Sequence, residues 1–320
     1  MFFASLLIGI REGLEAALII SILLAYVQKQ QRPDLRAPIG RGVTLALALL
    51  AALGALFTFG RSSLTFRAQE IVGGVMSLLA VVMITGMIFW MFKLGATMKK
   101  DLEASASTAI AAGGAALFWV AFLAVAREGL ETTLMLWGWM TSPAALIGAL
   151  VGLAVAAALG YLLYRGILKI RLSSFFTWSG ALLIVVAAGI LAYGVHDLQE
   201  AALLPGPFSG APIAPTHPRT GEVLTGFATY PFWLASFPFG WAFNIENVMD
   251  PAGVLAAFLK GTVGFEPQMS WLQIIAWACY LLVVVPAFVR KVRATRRPKP
   301  RSPGTPTTQI LTERVKETTA

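Results

Sequence analysis

Arg11-Glu12-Gly13-Leu14-Glu15 sits inside FFASLLIGIREGLEAALIISILLAYV (Phe2–Val27), and the same five residues recur at Arg127–Glu131 inside ALFWVAFLAVAREGLETTLMLWGW (Ala116–Trp139). Each run is about as long as the roughly 20 residues that a helix needs to cross a bilayer. Each therefore carries three charges at the depth where lipid tolerates them least. Charged groups there mark ion or substrate paths far more often than packing accidents.

The rest of the chain agrees with a membrane reading. Of 320 residues, 57% are hydrophobic and only 13% are charged, against about 25% charged in a soluble domain. The net charge of +9 does not read as nucleic-acid binding, because seven basic residues crowd into Arg290–Arg301 just behind the last apolar run. Such a cluster suits a cytoplasmic membrane edge and its lipid headgroups. The one cysteine, Cys279, can form no intrachain disulfide. Met1–Val27 is not expected to be a cleaved signal, since its front lacks positive charge and Arg11 and Glu12 interrupt the apolar stretch.

Seven spanning helices are expected, at about Phe2–Val27, Gly42–Gly60, Ile71–Phe92, Ala115–Trp139, Pro143–Tyr164, Phe175–Val195 and Trp271–Val289. In lipid each must be helical, because every backbone group needs a partner within its own segment. One alternating set of connections holds 17 Lys and Arg and the other holds 4. That asymmetry places the N-terminus outside and the C-terminus in the cytoplasm. The fold class is thus an all-α polytopic membrane protein.

The motif copies begin 116 residues apart, in the first and fourth spans. The third span (Gly73-Gly74, then MSLLAVVMITG) also resembles the sixth (Ser179-Gly180, then ALLIVVAAG). A three-helix unit repeated once must invert, as in many secondary transporters. The expected organisation is repeat 1 at about 2–92, repeat 2 at about 115–195, an outer loop at 196–270 and a seventh helix at 271–289. A basic and then disordered cytoplasmic tail follows at 290–320. The outer loop is rich in Pro, Gly and aromatic residues; its FPFGWAFN stretch and Ala252–Leu259 suit packing at the membrane boundary.

Glu12 and Glu15, three apart, share a helical face, and Arg11 reaches Glu15 at a spacing of four. Arg127, Glu128 and Glu131 repeat that pattern. Were the two helices to meet in an antiparallel pair, four carboxylates and two guanidinium groups would gather with a net charge of −2. A donor set of oxygens alone favours hard cations such as Fe³⁺, Mg²⁺, Ca²⁺ or Mn²⁺ over soft Cu⁺. Gly13 and Gly129 leave room for close helix approach or local unwinding. Plain Arg–Glu pairs fixing helix packing would barely offset their desolvation and would leave one Glu per motif unpaired. A proton relay is the other functional reading of the same carboxylates. His196, Asp197 and Glu200, where the sixth span meets the outside, form a second candidate metal group if the helix continues. Glu70 reads as a first-turn acid, Met76, Met83 and Met87 read as packing, and His217 has no imidazole partner nearby.

These residues resemble the oxidase-dependent iron permease family, which comprises the fungal high-affinity iron permeases and the bacterial EfeU-type permeases. The doubled REGLE motif in the first and fourth helices carries the likeness, with GVHDLQEA closing the sixth, over about Met1–Val289. The resemblance implies that Glu12, Glu15, Glu128 and Glu131 bind iron in transit while Arg11 and Arg127 support them. It implies import across the cytoplasmic membrane, with iron (Fe³⁺ or Fe²⁺) as substrate and no permanently bound cofactor. It also implies a ferroxidase or haem-peroxidase-like partner and a periplasmic or lipid-anchored iron-binding protein. The tail departs from the family by lacking acidic runs, and the outer loop carries no Cys or fused domain. Two alternatives stay open: transport of another hard divalent cation or of protons, and an intramembrane di-metal oxidase. The oxidase is disfavoured because its sites pair Glu with Glu-x-x-His and no His lies in either motif-bearing span.

Overall fold

Seven helices of 22 to 29 residues account for most of the described chain. They are α1 (Phe2–Lys29), α2 (Arg36–Arg61), α3 (Phe66–Leu94), α4 (Gly114–Leu136), α5 (Pro143–Tyr164), α6 (Leu172–Glu200) and, after a short α7 (Val254–Thr262), α8 (Trp271–Arg296). The computed structural model describes residues 2–61, 64–94, 107–137, 142–166, 172–209, 237–251 and 253–296, with the single residues 104 and 219. His217 and the expected tail after 296 lie outside the described residues.

Helix boundaries follow local chemistry. Pro143 opens α5, where its missing N–H costs nothing. Gly113, at φ +96°, admits the chain to α4 through a conformation that a side chain would resist. Ser270 and Gln273 form a capping box at the head of α8: the Ser270 N–H donates to Gln273 Oε1 (2.6 Å), and the Gln273 N–H donates to Ser270 Oγ (3.2 Å). Several helices outrun their expected apolar cores. α3 starts at Phe66 and α6 continues to Glu200, because polar residues at a membrane edge still gain by keeping their backbone bonded within the helix.

Five of the seven, α2, α3, α5, α6 and α8, contain a stretch long and apolar enough to cross a membrane. The other two are α1 and α4, each interrupted by the three charges of its motif. Val82 (69% exposed) and Leu282 (74%) would form sticky patches in water but suit a lipid solvent. The chain is an all-helical multi-pass membrane protein, apart from one feature that periodicity did not forecast. Trp241–Asn244 (β1) and Gln268–Ser270 (β2) pair antiparallel, with Trp241 opposite Ser270 and Asn244 opposite Gln268. The FPFGWAFN stretch supplies the first of these strands.

The helices pair as α1 with α5, α2 with α4, and α3 with α6; α1 also meets α4, and α8 lies chiefly on α6. The α1–α5 contact is a seam of small residues. Ser5, Gly9, Gly13, Ala17 and Ser21 recur every fourth position on α1, facing Gly148, Gly152, Ala156 and Gly160 on α5. A Cβ added at Gly9 would stand 2.8 Å from the Ala149 carbonyl, so backbones approach where only glycine fits. Ser21 Oγ closes the seam by donating to the Gly160 carbonyl at 3.0 Å. Ile8, Ile84, Leu183, Ile184 and Phe288 belong to the main core, drawn from α1, α3, α6 and α8.

Candidate metal site

Helix pairing brings the motifs to one place. α1 presents Glu12 (0% exposed) and Glu15 (4%) on one face, and α4 presents Glu128 (6%). One oxygen from each of the three lies within 4.8 Å of the others. Among the described residues, no other three His, Cys, Asp or Glu side chains come together in this way. Both helices run unbroken through their motifs, so Gly13 provides close approach, to Ala156 and Leu153, and no unwinding.

The site is under-satisfied. Neither Glu12 oxygen has a hydrogen-bond partner, nor do Glu15 Oε1, Arg11 Nε and Arg11 Nη1. Arg11, 1% exposed, holds its Nε 3.6 Å from Glu15 Oε1, which is a charge contact and longer than a good hydrogen bond. Two ionised carboxylates at such separations repel by about 3–4 kcal/mol at an effective dielectric near 20. Arg11 offsets only part of that repulsion. A bound cation would supply both the missing charge and the missing partner for each oxygen, and with oxygen donors throughout it would be a hard one.

The second motif is arranged differently. Arg127 Nε donates to Glu131 Oε1 at 3.0 Å and lies 3.9 Å from Glu128 Oε1. Its guanidinium also stacks on Trp90, 5.1 Å from the ring centroid. Glu131 is therefore turned toward Arg127 and stands outside the trio, although close enough to act electrostatically on Glu12 and Glu15. Three of the four expected carboxylates meet and the fourth waits beside them. Trp90 had no signal in sequence, because nothing local links α3 to α4.

A cavity of about 830 Å³ lies among α1, α2, α4 and α5, with Glu12 and Glu128 on its wall. It reaches from Ser21, Tyr161 and Tyr164 at one end to Leu136 and Leu146 at the other, and its lining is almost wholly apolar. Elsewhere, α6 does continue through the second candidate group. His196 Nδ1 lies 3.6 Å from Asp197 Oδ1 and 3.8 Å from Glu200 Oε2, but the three do not converge as the glutamates do. The imidazole is bracketed by Tyr193 and Phe208, with the Lys260–Glu266 ion pair (2.6 Å) on neighbouring α7 and its following loop. Met83 and Met87 pack in or against the main core, as expected, and Met76 is half-buried. Glu70 falls inside α3, a turn after its start at Phe66.

The iron permease FTR1 family matches residues 2–209, a stretch that includes both motifs. The chain belongs to the iron permease FTR1 family. Its relatives include the ferrous iron permease EfeU of Escherichia coli O6:K15:H31 (strain 536 / UPEC), 32% identical over 298 residues, which is 91% of this chain and 97% of that protein. The ferrous iron permease EfeU of Yersinia pestis is 29% identical over 299 residues, covering 92% and 95%. No solved structure matches. Membership of this permease family makes the chain a multi-pass membrane transporter and not an enzyme.

Proposed function

We propose that this permease imports iron across the cytoplasmic membrane, with Glu12, Glu15 and Glu128 as the binding site in mid-membrane and Glu131 as the fourth ligand during passage. The observation that carries the reading is the convergence of three buried, under-satisfied carboxylates within 4.8 Å on two crossing helices. Arg11 and Arg127 keep the empty site from excess negative charge and orient their glutamates.

All seven long helices span the membrane in this reading, with the N-terminus outside. The contact pattern supports an inverted repeat of α1–α3 and α4–α6. A two-fold exchange of those units turns the α1–α5 pair into the α4–α2 pair and leaves α3–α6 and α1–α4 unchanged, and all four contacts exist. Alternating access then follows from rocking one unit against the other around a fixed site. His196, Asp197 and Glu200 would receive the ion at the outer edge, and Fe³⁺ would be handed over by an oxidising ferroxidase or haem-peroxidase-like partner through a periplasmic or lipid-anchored carrier.

Uptake of radiolabelled iron into proteoliposomes tests this. Saturable uptake that is lost in Glu12→Gln is expected; transport of Mn²⁺ without iron would overturn the substrate. The relatives named above are called ferrous permeases, so the same assay should compare Fe²⁺ held by ascorbate with chelated Fe³⁺. Uptake confined to ascorbate-reduced iron would remove the oxidising partner from the scheme.

A further inference from the structure

Arg127 lies in the middle of α4, about 20 Å along the axis from Gly114. It interrupts an exposed stripe whose other members are Trp119 (54% exposed), Leu123 (58%) and Leu130 (42%). Its own side chain is 55% exposed, and that of Glu131 is 23% exposed. The first motif shows that exposure is no requirement of these five residues, since Arg11 and Glu15 are 1% and 6% exposed at the side chain. A guanidinium and a carboxylate at this depth are strongly disfavoured against hydrocarbon and normally face protein or water. Trp90 covers one face of Arg127, and the helices outside the two three-helix units, α7 and α8, pack chiefly on α1 and α6 rather than on α4. The cavity among α1, α2, α4 and α5 reaches Glu12 and Glu128, but Arg127 and Glu131 are not among its lining residues, so their exposure belongs to a separate face.

We infer that the face between α3 and α4, framed by Trp90, Arg127 and Glu131, is a water-filled approach through which a hydrated hard cation reaches the buried carboxylates. Its ion rests on the transport reading above; its water does not. Glu131 is the first carboxylate on this path. Bound to Arg127 it is kept from closing on the trio, and an arriving cation competes with the guanidinium for it. The approach is lateral in the structure, entering beside Trp90, and it is absent at the first motif because that face is closed.

Thiol labelling tests the water directly: a thiolate, which forms in water and not in lipid, attacks the sulfenyl sulfur of an impermeant methanethiosulfonate and expels methanesulfinate. Leu123→Cys and Trp90→Cys would each be made in a Cys279→Ser background, with Leu282→Cys on α8 (74% exposed) as the lipid-facing reference. Both α3/α4 positions should label about tenfold or more faster than the Leu282 position, and Mn²⁺ or Fe²⁺ should slow the Trp90 position. Leu123 guards against a Trp90 variant that misfolds. Labelling no faster than the reference, in protein whose Cys279→Ser parent still takes up iron, would overturn the inference. Fast labelling in a parent that moves no iron would uphold the water path and defeat the transport reading instead.

Discussion

Two copies of Arg-Glu-Gly-Leu-Glu, identical in sequence, live in different surroundings. In α1 the arginine is sealed, its Nε and Nη1 lack hydrogen-bond partners, and both glutamates point into the protein. In α4 the arginine is half exposed, hydrogen-bonded to one glutamate and stacked on Trp90, and only Glu128 reaches the shared site. The packing partners explain the contrast. α1 lies on α5 through glycine and alanine at backbone distance, whereas Gly129 of α4 faces the bulkier Leu50 of α2. A five-residue motif sets which ligands are on offer; neighbours distant in sequence set which are delivered.

Substitutions can break or sharpen this contrast. Glu12→Gln and Glu128→Gln should both reduce iron uptake to background in proteoliposomes while detergent-solubilised protein stays monodisperse, because each removes one corner of the trio. Wild-type uptake in either would end the shared-site account. Arg11→Lys should cost on the order of 10- to 100-fold in uptake affinity, as supporting groups of a metal site commonly do, since a buried lysine cannot copy the planar guanidinium. Arg127→Lys should cost several-fold less, because exposure lets lysine reach both Glu131 and water; equal losses would contradict the asymmetry. Glu131→Gln should impair uptake less than Glu12→Gln, by on the order of 10-fold, with the deficit in rate more than in affinity. Last, Gly13→Ala places a methyl 2.7 Å from Ala156 Cβ, which cannot rotate away. It should lower the thermal midpoint by the equivalent of about 1–3 kcal/mol of overpacking. Gly129→Ala meets the Leu50 side chain, from Cγ outward, which can change rotamer where the Ala156 methyl cannot, and should cost less in the same melt.

Much of this architecture is written in the sequence. Length and hydropathy located the seven long helices, and the duplicated motif singled out four glutamates of which Glu12, Glu15 and Glu128 come together, because charges inside an apolar run stand out whatever the tertiary fold. Helix ends were less legible, as the continuation of α6 through Glu200 shows, since polar residues end an apolar run without ending backbone hydrogen bonding. The β1–β2 pair was invisible: two strands of four and three residues offer too few positions for alternation to register. Glu131 could not be set apart from its three fellows either. Its position depends on Trp90, 41 residues away in sequence, whose ring stacks on the Arg127 guanidinium that holds Glu131.

The seam between α1 and α5 has a mechanical consequence. Gly9, Gly13, Ala17, Gly148, Gly152, Ala156 and Gly160 have no rotamers to freeze and no knobs to lodge in holes. A gear resists slipping by its teeth; this contact has few and works as a nearly plain bearing, pinned toward one end by Ser21 on the Gly160 carbonyl. The helix that carries Glu12 and Glu15 is thus held close by shape yet free of the interlocking that would make each small rotation a repacking event.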